Sequence, residues 1–234
     1  MIPAPALVSF EDEFPALDAD LHQMALGLSR QELSADLHAF VCAAWHVIEP
    51  NVPFIDNWHI KVMCRRLMQA YHGQTKRLIF NVPPGSSKSR IISVLFPAWY
   101  LCKHPTHAIV CASHTQELAE KWGRRVRNAV TEYGPTLKLA VSDDNSAAGR
   151  WSLKSGGEYY AAGVGVGIAG FRADLAIIDD PIRNREDADS SLIREKTWEW
   201  FKSDLSTRMK PGGRIVLIQT RWNEDDLAGR LLLD

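Results

Sequence analysis

The chain is poor in cysteine and has no long apolar run, and each shortage excludes a class of protein. Its four cysteines, Cys42, Cys64, Cys102 and Cys111, are scattered with no CxxC spacing. That argues against a disulfide framework or a zinc ribbon and fits a reducing compartment. The longest apolar stretch, Ile91 to Cys102, is interrupted by Ser93 and Pro97 and is too short to cross a bilayer. The N-terminus has no basic segment ahead of an apolar core, so no signal peptide is read there. The expectation is a soluble intracellular protein with no membrane partner. Repeats and low-complexity tracts are missing as well. The eight histidines form no HxxxH or His/Cys cluster, so no structural metal is expected.

Net charge is also nearly absent, with 27 Lys and Arg against 28 Asp and Glu. The balance hides an asymmetry. Residues 1–50 carry eight acids and one base, so the remainder carries 26 bases and 20 acids. A local basic face is therefore compatible with a neutral total. What the chain does have is an ordinary globular composition, 46% hydrophobic over 234 residues. That suits one large domain with a sizeable core. We divide it into an acidic helical segment over 1–50 and a main domain over 51–234.

Apolar spacing predicts helix over 16–47, a loop at Pro50 and Pro53, and a second helix over 57–72. The chain then alternates. Strands are predicted at 77–82, 108–112, 174–179 and 214–220, with a hairpin over 150–162. Helices are predicted at 87–102, 116–133, 190–209 and from about 223. This alternation implies an α/β fold with a mostly parallel central sheet flanked by helices and preceded by a helical segment.

The informative stretch is Val82-Pro83-Pro84-Gly85-Ser86-Ser87-Lys88-Ser89, between a strand and a helix. A loop there aims backbone N–H groups and a helix N-terminus at phosphate oxygens. Lys88 suits the β- and γ-phosphates of a nucleotide and Ser89 a Mg²⁺ ion. Against GxxxxGK[ST] the fit is partial, with Val82 and Ser87 in place of the two glycines. A capped strand-to-helix turn is the structural alternative. A second element supports the phosphate loop: Leu175-Ala-Ile-Ile-Asp179-Asp180 runs four apolar residues into two carboxylates. Asp179 suits the metal shell and Asp180 the polarising of an attacking water. A third strand ends in Gln219 and Thr220, either of which suits sensing of the γ-phosphate.

Together with Ala112-Ser-His114, Gly163–Gly170, Thr220-Arg-Trp222 and Asp225–Arg230, these motifs make residues 50–234 resemble a known family. It is the ATPase domain of the large terminase subunit, the DNA-packaging motor of tailed bacteriophages. The resemblance implies a P-loop NTPase of the additional-strand type, using ATP with Mg²⁺ to translocate double-stranded DNA into a procapsid in the host cytoplasm. It implies a small terminase subunit and a portal as partners, and a ring of identical copies when assembled, with a monomer in isolation left open. Carried over residue by residue, Pro84 to Ser89 bind nucleotide, Ser89 and Asp179 hold Mg²⁺, Lys88 and Asp180 are catalytic, and Thr220 couples turnover to movement. Many terminases have Glu where Asp180 stands. Where an Arg often precedes the glycine that is Gly170, this chain has Ala169, so Arg172 is the first candidate for the cation on the γ-phosphate. Arg150 and Arg221 are the alternatives. Asn57 and His59 occupy the place of the base-contacting motif, with Trp58 expected in the core. Because full-length members continue into a nuclease domain, no nuclease activity is expected of this chain. Two alternatives remain open: a non-hydrolysing nucleotide-binding module of the packaging complex, and a helicase-type ATPase of the same fold class.

Two minor features complete the reading. Lys121, Arg124 and Arg125 fall on one face of a predicted helix that also carries Arg127, which suits either DNA phosphates or a solvated surface. Trp198, Phe201 and Leu205 read as a core stripe.

Overall fold

The computed structural model describes residues 30–233. The predicted helix over 16–47 falls partly outside them. Its described part divides into α1 (Arg30–Ala35) and α2 (Leu37–Ile48). The break is Asp36, whose carboxylate caps α2 by accepting from the His38 N–H at 3.0 Å. α3 (Trp58–Tyr71) starts after Asn57, which accepts from the Trp58 N–H at 2.7 Å.

A seven-stranded sheet follows. Its strands are β1 (Arg77–Asn81), β2 (Ala108–Ser113), β3 (Val141–Ser146), β4 (Arg150–Leu153), β5 (Glu158–Gly163), β6 (Ala173–Asp179) and β7 (Met209–Gln219). The order is β1-β7-β6-β2-β5-β4-β3. The first five strands in that order pair in parallel, and β4 and β3 add on antiparallel. Inserting β7 between β1 and β6 separates the strand before the phosphate loop from the strand bearing the acid pair. That order is the additional-strand arrangement that the resemblance implies.

The parallel strands are apolar on both faces, because both faces are covered. Ile109, Cys111, Leu175, Ile177, Val216 and Ile218 face a core shared with α1 to α3, the helix after the phosphate loop with its α4 part (Phe96–Lys103), and α5 (Gln116–Leu137). Their alternating neighbours Val110, Ala112, Ala176, Ile178, Ile215 and Leu217 face a second core with Trp200, Phe201, Leu205, Leu227 and Ala228. Leu205 is fully buried, and Trp198 packs half-buried beside Phe201, so the predicted stripe is core. Among the described residues no helix is long and apolar enough to cross a membrane.

The differences from the sequence expectation have local causes. β3 is Val-Ser-Asp-Asp-Asn-Ser, poor in strand formers, and exists as an edge paired with β4 through a register shift. β7 begins five residues before the predicted strand. Its pairing jumps from Ala173–Met209 to Leu175–Arg214, so Lys210-Pro-Gly-Gly213 forms a bulge that strand residues alone would not allow. The helix predicted over 190–209 is α7 (Ser191–Trp200) followed by a wide turn and a 3₁₀ turn, and a short α6 (Arg185–Asp189) precedes it. The last helix, α8, covers Leu227–Leu233.

Gly123 lets α5 lie close to the β3–β4 turn and the β4–β5 hairpin. A Cβ there would sit 2.6 Å from the Ala148 carbonyl oxygen and 3.1 Å from Tyr159 Cε1. The helix-propensity gain of alanine, about 1 kcal/mol, is smaller than the overpacking it would cause. We expect Gly123→Ala to lower the unfolding free energy by about 1–2 kcal/mol in urea titrations; an increase would mean the hairpin yields without cost.

Candidate nucleotide site

The site forms where three parallel strands end at one level. Ile218 of β7 is registered with Phe80 of β1 on one side and Asp179 of β6 on the other. One residue on, the chains stay tied: Val82 N donates to the Gln219 carbonyl at 3.1 Å and Asp180 N to the Ile218 carbonyl at 2.9 Å. Side chains just past these tips are therefore brought together by the sheet itself.

The phosphate loop leaves β1 and turns into a helix that begins at Lys88. Gly85 has φ 80° and Ser87 has φ 60°. Ser87, which stands where the consensus has its second glycine, thus adopts the left-handed conformation that glycine would supply freely. The cost is of order 1–3 kcal/mol, held in place by the surrounding structure. Ser86 Oγ closes the loop on the Pro83 carbonyl at 2.8 Å.

Lys88 Nζ, almost fully buried, donates to Asp180 Oδ1 at 2.6 Å and to Thr220 Oγ1 at 2.8 Å. A buried ammonium needs such partners. Thr220 N also donates to Asp180 Oδ1 at 2.8 Å. Asp180 has φ 42°, a second strained non-glycine backbone at the site. Its Oδ2 makes no hydrogen bond among the described residues.

Asp179 is buried, and both its oxygens accept hydroxyl hydrogen bonds: Oδ1 from Ser89 at 3.0 Å and Oδ2 from Ser93 at 2.7 Å. Burial, reinforced by the neighbouring Asp180 charge, pushes its carboxyl up to about 6, against the pull of the two hydroxyls and Lys88. Ser89 Oγ and a carboxylate oxygen are hard donors suited to Mg²⁺. These two residues would hold the ion, which at nucleotide sites commonly takes one or two protein ligands together with substrate phosphates. The residues fit the ion the sequence implied.

The residues alone offered Gln219 and Thr220, and the resemblance pointed to Thr220; the structure places the two on opposite faces. Thr220 meets Lys88, whereas buried Gln219 donates to Asp226 Oδ2 at 2.7 Å, away from the phosphate loop. His59 reaches the loop, with Nε2 3.2 Å from the Ser86 carbonyl, and Asn57 serves as the α3 cap. Trp58, expected in the core, is 74% exposed. It sits in the first turn of α3 on the solvent side, its ring edge-on to His59 at 6.0 Å.

None of the three candidate arginines bonds Lys88, Asp179 or Asp180. Arg172 is exposed and precedes Ala173, the first residue of β6, so it lies at the opposite end of the strand from Asp179. Six strand steps separate Ala173 from Asp179, roughly 20 Å. Arg150 pairs with Glu158 at 3.1 Å, and Arg221 with Asp226 at 3.3 Å. On the basic helix, Arg125 bonds Glu49 at 2.8 Å and lies over the Trp122 ring, so its charge is used within the fold.

Three further residues support the acids, one outside every quoted motif and two from the Ala112-Ser-His114 segment, to which sequence reasoning assigned no role. Ser93 grips Asp179. Ser113 Oγ donates to the Asp179 carbonyl at 2.9 Å, and His114 Nδ1 lies 3.1 Å from the Asp180 carbonyl. The available signal for Ser93 was a lone hydroxyl in an otherwise apolar helix, four residues after Ser89.

Two predictions follow from the strain and the burial. Ser87→Gly should leave stability within about 1 kcal/mol of wild type, while Ser87→Val, β-branched at positive φ, should cost about 2 kcal/mol in urea unfolding. Equal stabilities would refute the strained turn. The Asp179 carboxyl holds its proton more tightly in the folded than in the unfolded chain. Its contribution to stability is therefore full below pH about 4 and is lost as pH rises through about 6. Asp179→Asn should remove this limb and raise the unfolding free energy at pH 7 by on the order of 1–3 kcal/mol. An unchanged pH profile would mean that Asp179 ionises freely.

Comparison with known proteins bears on the fold and the family. The chain resembles the HK97 bacteriophage large terminase in structure, with a TM-score of 0.51 and 18% identity over 82% of its length. It spans 40% of the length of that protein. A mutant of the large terminase ATPase domain from Thermus phage P74-26 matches with a TM-score of 0.48 and 16% identity, over 71% of this chain and 65% of that one. No curated protein matches in sequence. The family described as terminase large subunit, T4likevirus-type, N-terminal, matches residues 79–229. That match covers well over half of the chain, from β1 through the phosphate loop and both acids into α8, and the chain belongs to this terminase large-subunit family.

Proposed function

We propose that this chain is an ATP-hydrolysing motor domain of a phage DNA-packaging terminase, with the ATPase domain over 51–234. The observation that carries the reading is the joint made by Lys88 with Asp180 and Thr220, at 2.6 and 2.8 Å. It puts a phosphate-binding cation, a candidate base and a strand-tip hydroxyl in one cluster.

In this reading the loop N–H groups and Lys88 bind the phosphates of ATP, and Ser89 with Asp179 would hold Mg²⁺. The ion would supply charge neutralisation on the phosphate oxygens. Asp180 orients the attacking water and accepts its proton through Oδ2, while Oδ1 stays anchored to Lys88 and the Thr220 N–H. Thr220, bonded to Lys88 and at the tip of β7, transmits loss of the γ-phosphate to the strand. Arg172, at the far end of β6 from the acids, suits a contact with the site of a neighbouring copy rather than with its own. Double-stranded DNA, a small terminase subunit, a portal and further copies in a ring are the partners, in the host cytoplasm. The non-hydrolysing module is favoured by one observation: Asp180 is shorter than Glu and already bonded to Lys88.

Phosphate release from Mg·ATP, measured over a range of protein concentrations, tests the reading. Lys88→Ala should lower turnover at least a hundredfold. Wild-type turnover in that variant would remove the site assignment. A rate per molecule that climbs with concentration is expected if an arginine acts between copies, and a flat rate would argue against it.

A further inference from the structure

Side-chain hydroxyls inside helices commonly bond back to the carbonyl four residues earlier. This chain follows the habit at Thr131 to Arg127, Thr197 to Ile193 and Ser206 to Lys202, at 2.8–2.9 Å. Ser93 does not. Fully buried in the helix that follows the phosphate loop, it directs Oγ across to Asp179 Oδ2 at 2.7 Å. It stands four residues after Ser89, whose hydroxyl meets the other oxygen of the same carboxylate. The helix is locally widened there. Arg90–Leu95 is a π-type stretch, with Phe96 N bonded to the Ile91 carbonyl five residues back. Such widened turns recur at functional sites, and here two hydroxyls one turn apart reach one carboxylate from the same helix.

We propose that Ser93 is a positioning residue for the site's divalent cation: by holding Asp179 Oδ2 it fixes the carboxylate so that Oδ1 stays beside Ser89. The inference rests on the reading of Ser89 and Asp179 as the Mg²⁺ ligands. Ser93 touches neither nucleotide nor metal; it acts only through Asp179. Partners that orient a metal-ligating carboxylate typically change metal affinity by 10–100-fold when removed. Serine to alanine removes the hydroxyl and almost no volume, so packing is preserved. No other described side chain donates to Oδ2.

The test is calorimetric titration of ATP into the protein, once with excess Mg²⁺ and once with EDTA. The ratio of the two affinities is the metal coupling. Ser93→Ala should reduce this coupling about tenfold while leaving the affinity in EDTA within twofold of wild type. Ser93→Cys, which keeps a weak donor, should fall between the two. A purely structural role would weaken both titrations equally, and that result overturns the proposal, as does unchanged coupling. If Ser93→Ala fails to fold, Ser93→Cys alone decides: reduced coupling with unchanged EDTA affinity supports the proposal, and wild-type coupling overturns it. Absence of any Mg²⁺ coupling in the wild type would instead sink the metal assignment of Ser89 and Asp179, a failure distinct from that of Ser93.

Discussion

A single buried ammonium holds the working end of this molecule together. Lys88 comes from the loop after β1, Asp180 from the tip of β6, and Thr220 from the tip of β7. A positive charge out of water is costly unless it is paired. These three segments therefore cannot separate without stranding it. The same ammonium is the natural partner of a phosphate, and an incoming anion meets a carboxylate 2.6 Å from the charge it seeks. Binding and catalysis at this site are in electrostatic tension, and the strained backbones of Ser87 and Asp180 lie at the same place.

The rest of the fold serves to keep those strand tips level. A parallel sheet buried on both faces gives each strand alternate apolar residues for two cores, and shared register puts Phe80, Ile218 and Asp179 side by side. The N-terminal helices are part of this support rather than a detached cover. Leu37, Phe40 and Val41 share the core with the phosphate-loop helix, and Glu49 ties Arg90 of that helix to Arg125 of α5 at 2.6 and 2.8 Å. The two guanidinium groups hold the Glu49 carboxyl below its ordinary range. The acidic character of residues 30–50 is thus partly spent on internal pairing.

Much of this was legible in the residues. The strands over 77–82, 108–112 and 174–179 are short apolar runs between turn residues, and the core helices carry apolar stripes at helical spacing. Lys88, Ser89, Asp179 and Asp180 could be found from motif order, because the chemistry of phosphate binding restricts residue type. What could not be read depends on partners distant in sequence. β3 is a polar edge strand made only by its neighbour, and the β7 bulge is decided by register against β6. Thr220 could be named from the resemblance, but the reason Gln219 turns to Asp226 instead is strand alternation, since adjacent residues face opposite sides. Ser93 is an ordinary residue, and Ser113 and His114 a motif without a stated role, until the sheet brings Asp179 and Asp180 to them. Trp58 misled because large aromatic residues are usually buried, whereas here the stripe Ile60, Met63, Cys64 and Leu67 is the face of α3 turned to the core and the ring of Trp58 stays outward.

If Lys88 is shared between Asp180 and the phosphates of ATP, the ATP affinity of Asp180→Asn beside wild type will show it. Binding should be at least as tight as wild type, because the competing charge is gone, with turnover slower by about a hundredfold or more. Loss of ATP binding in Asp180→Asn would contradict it, leaving Asp180 as a structural anchor for the loop rather than a group that acts on the substrate.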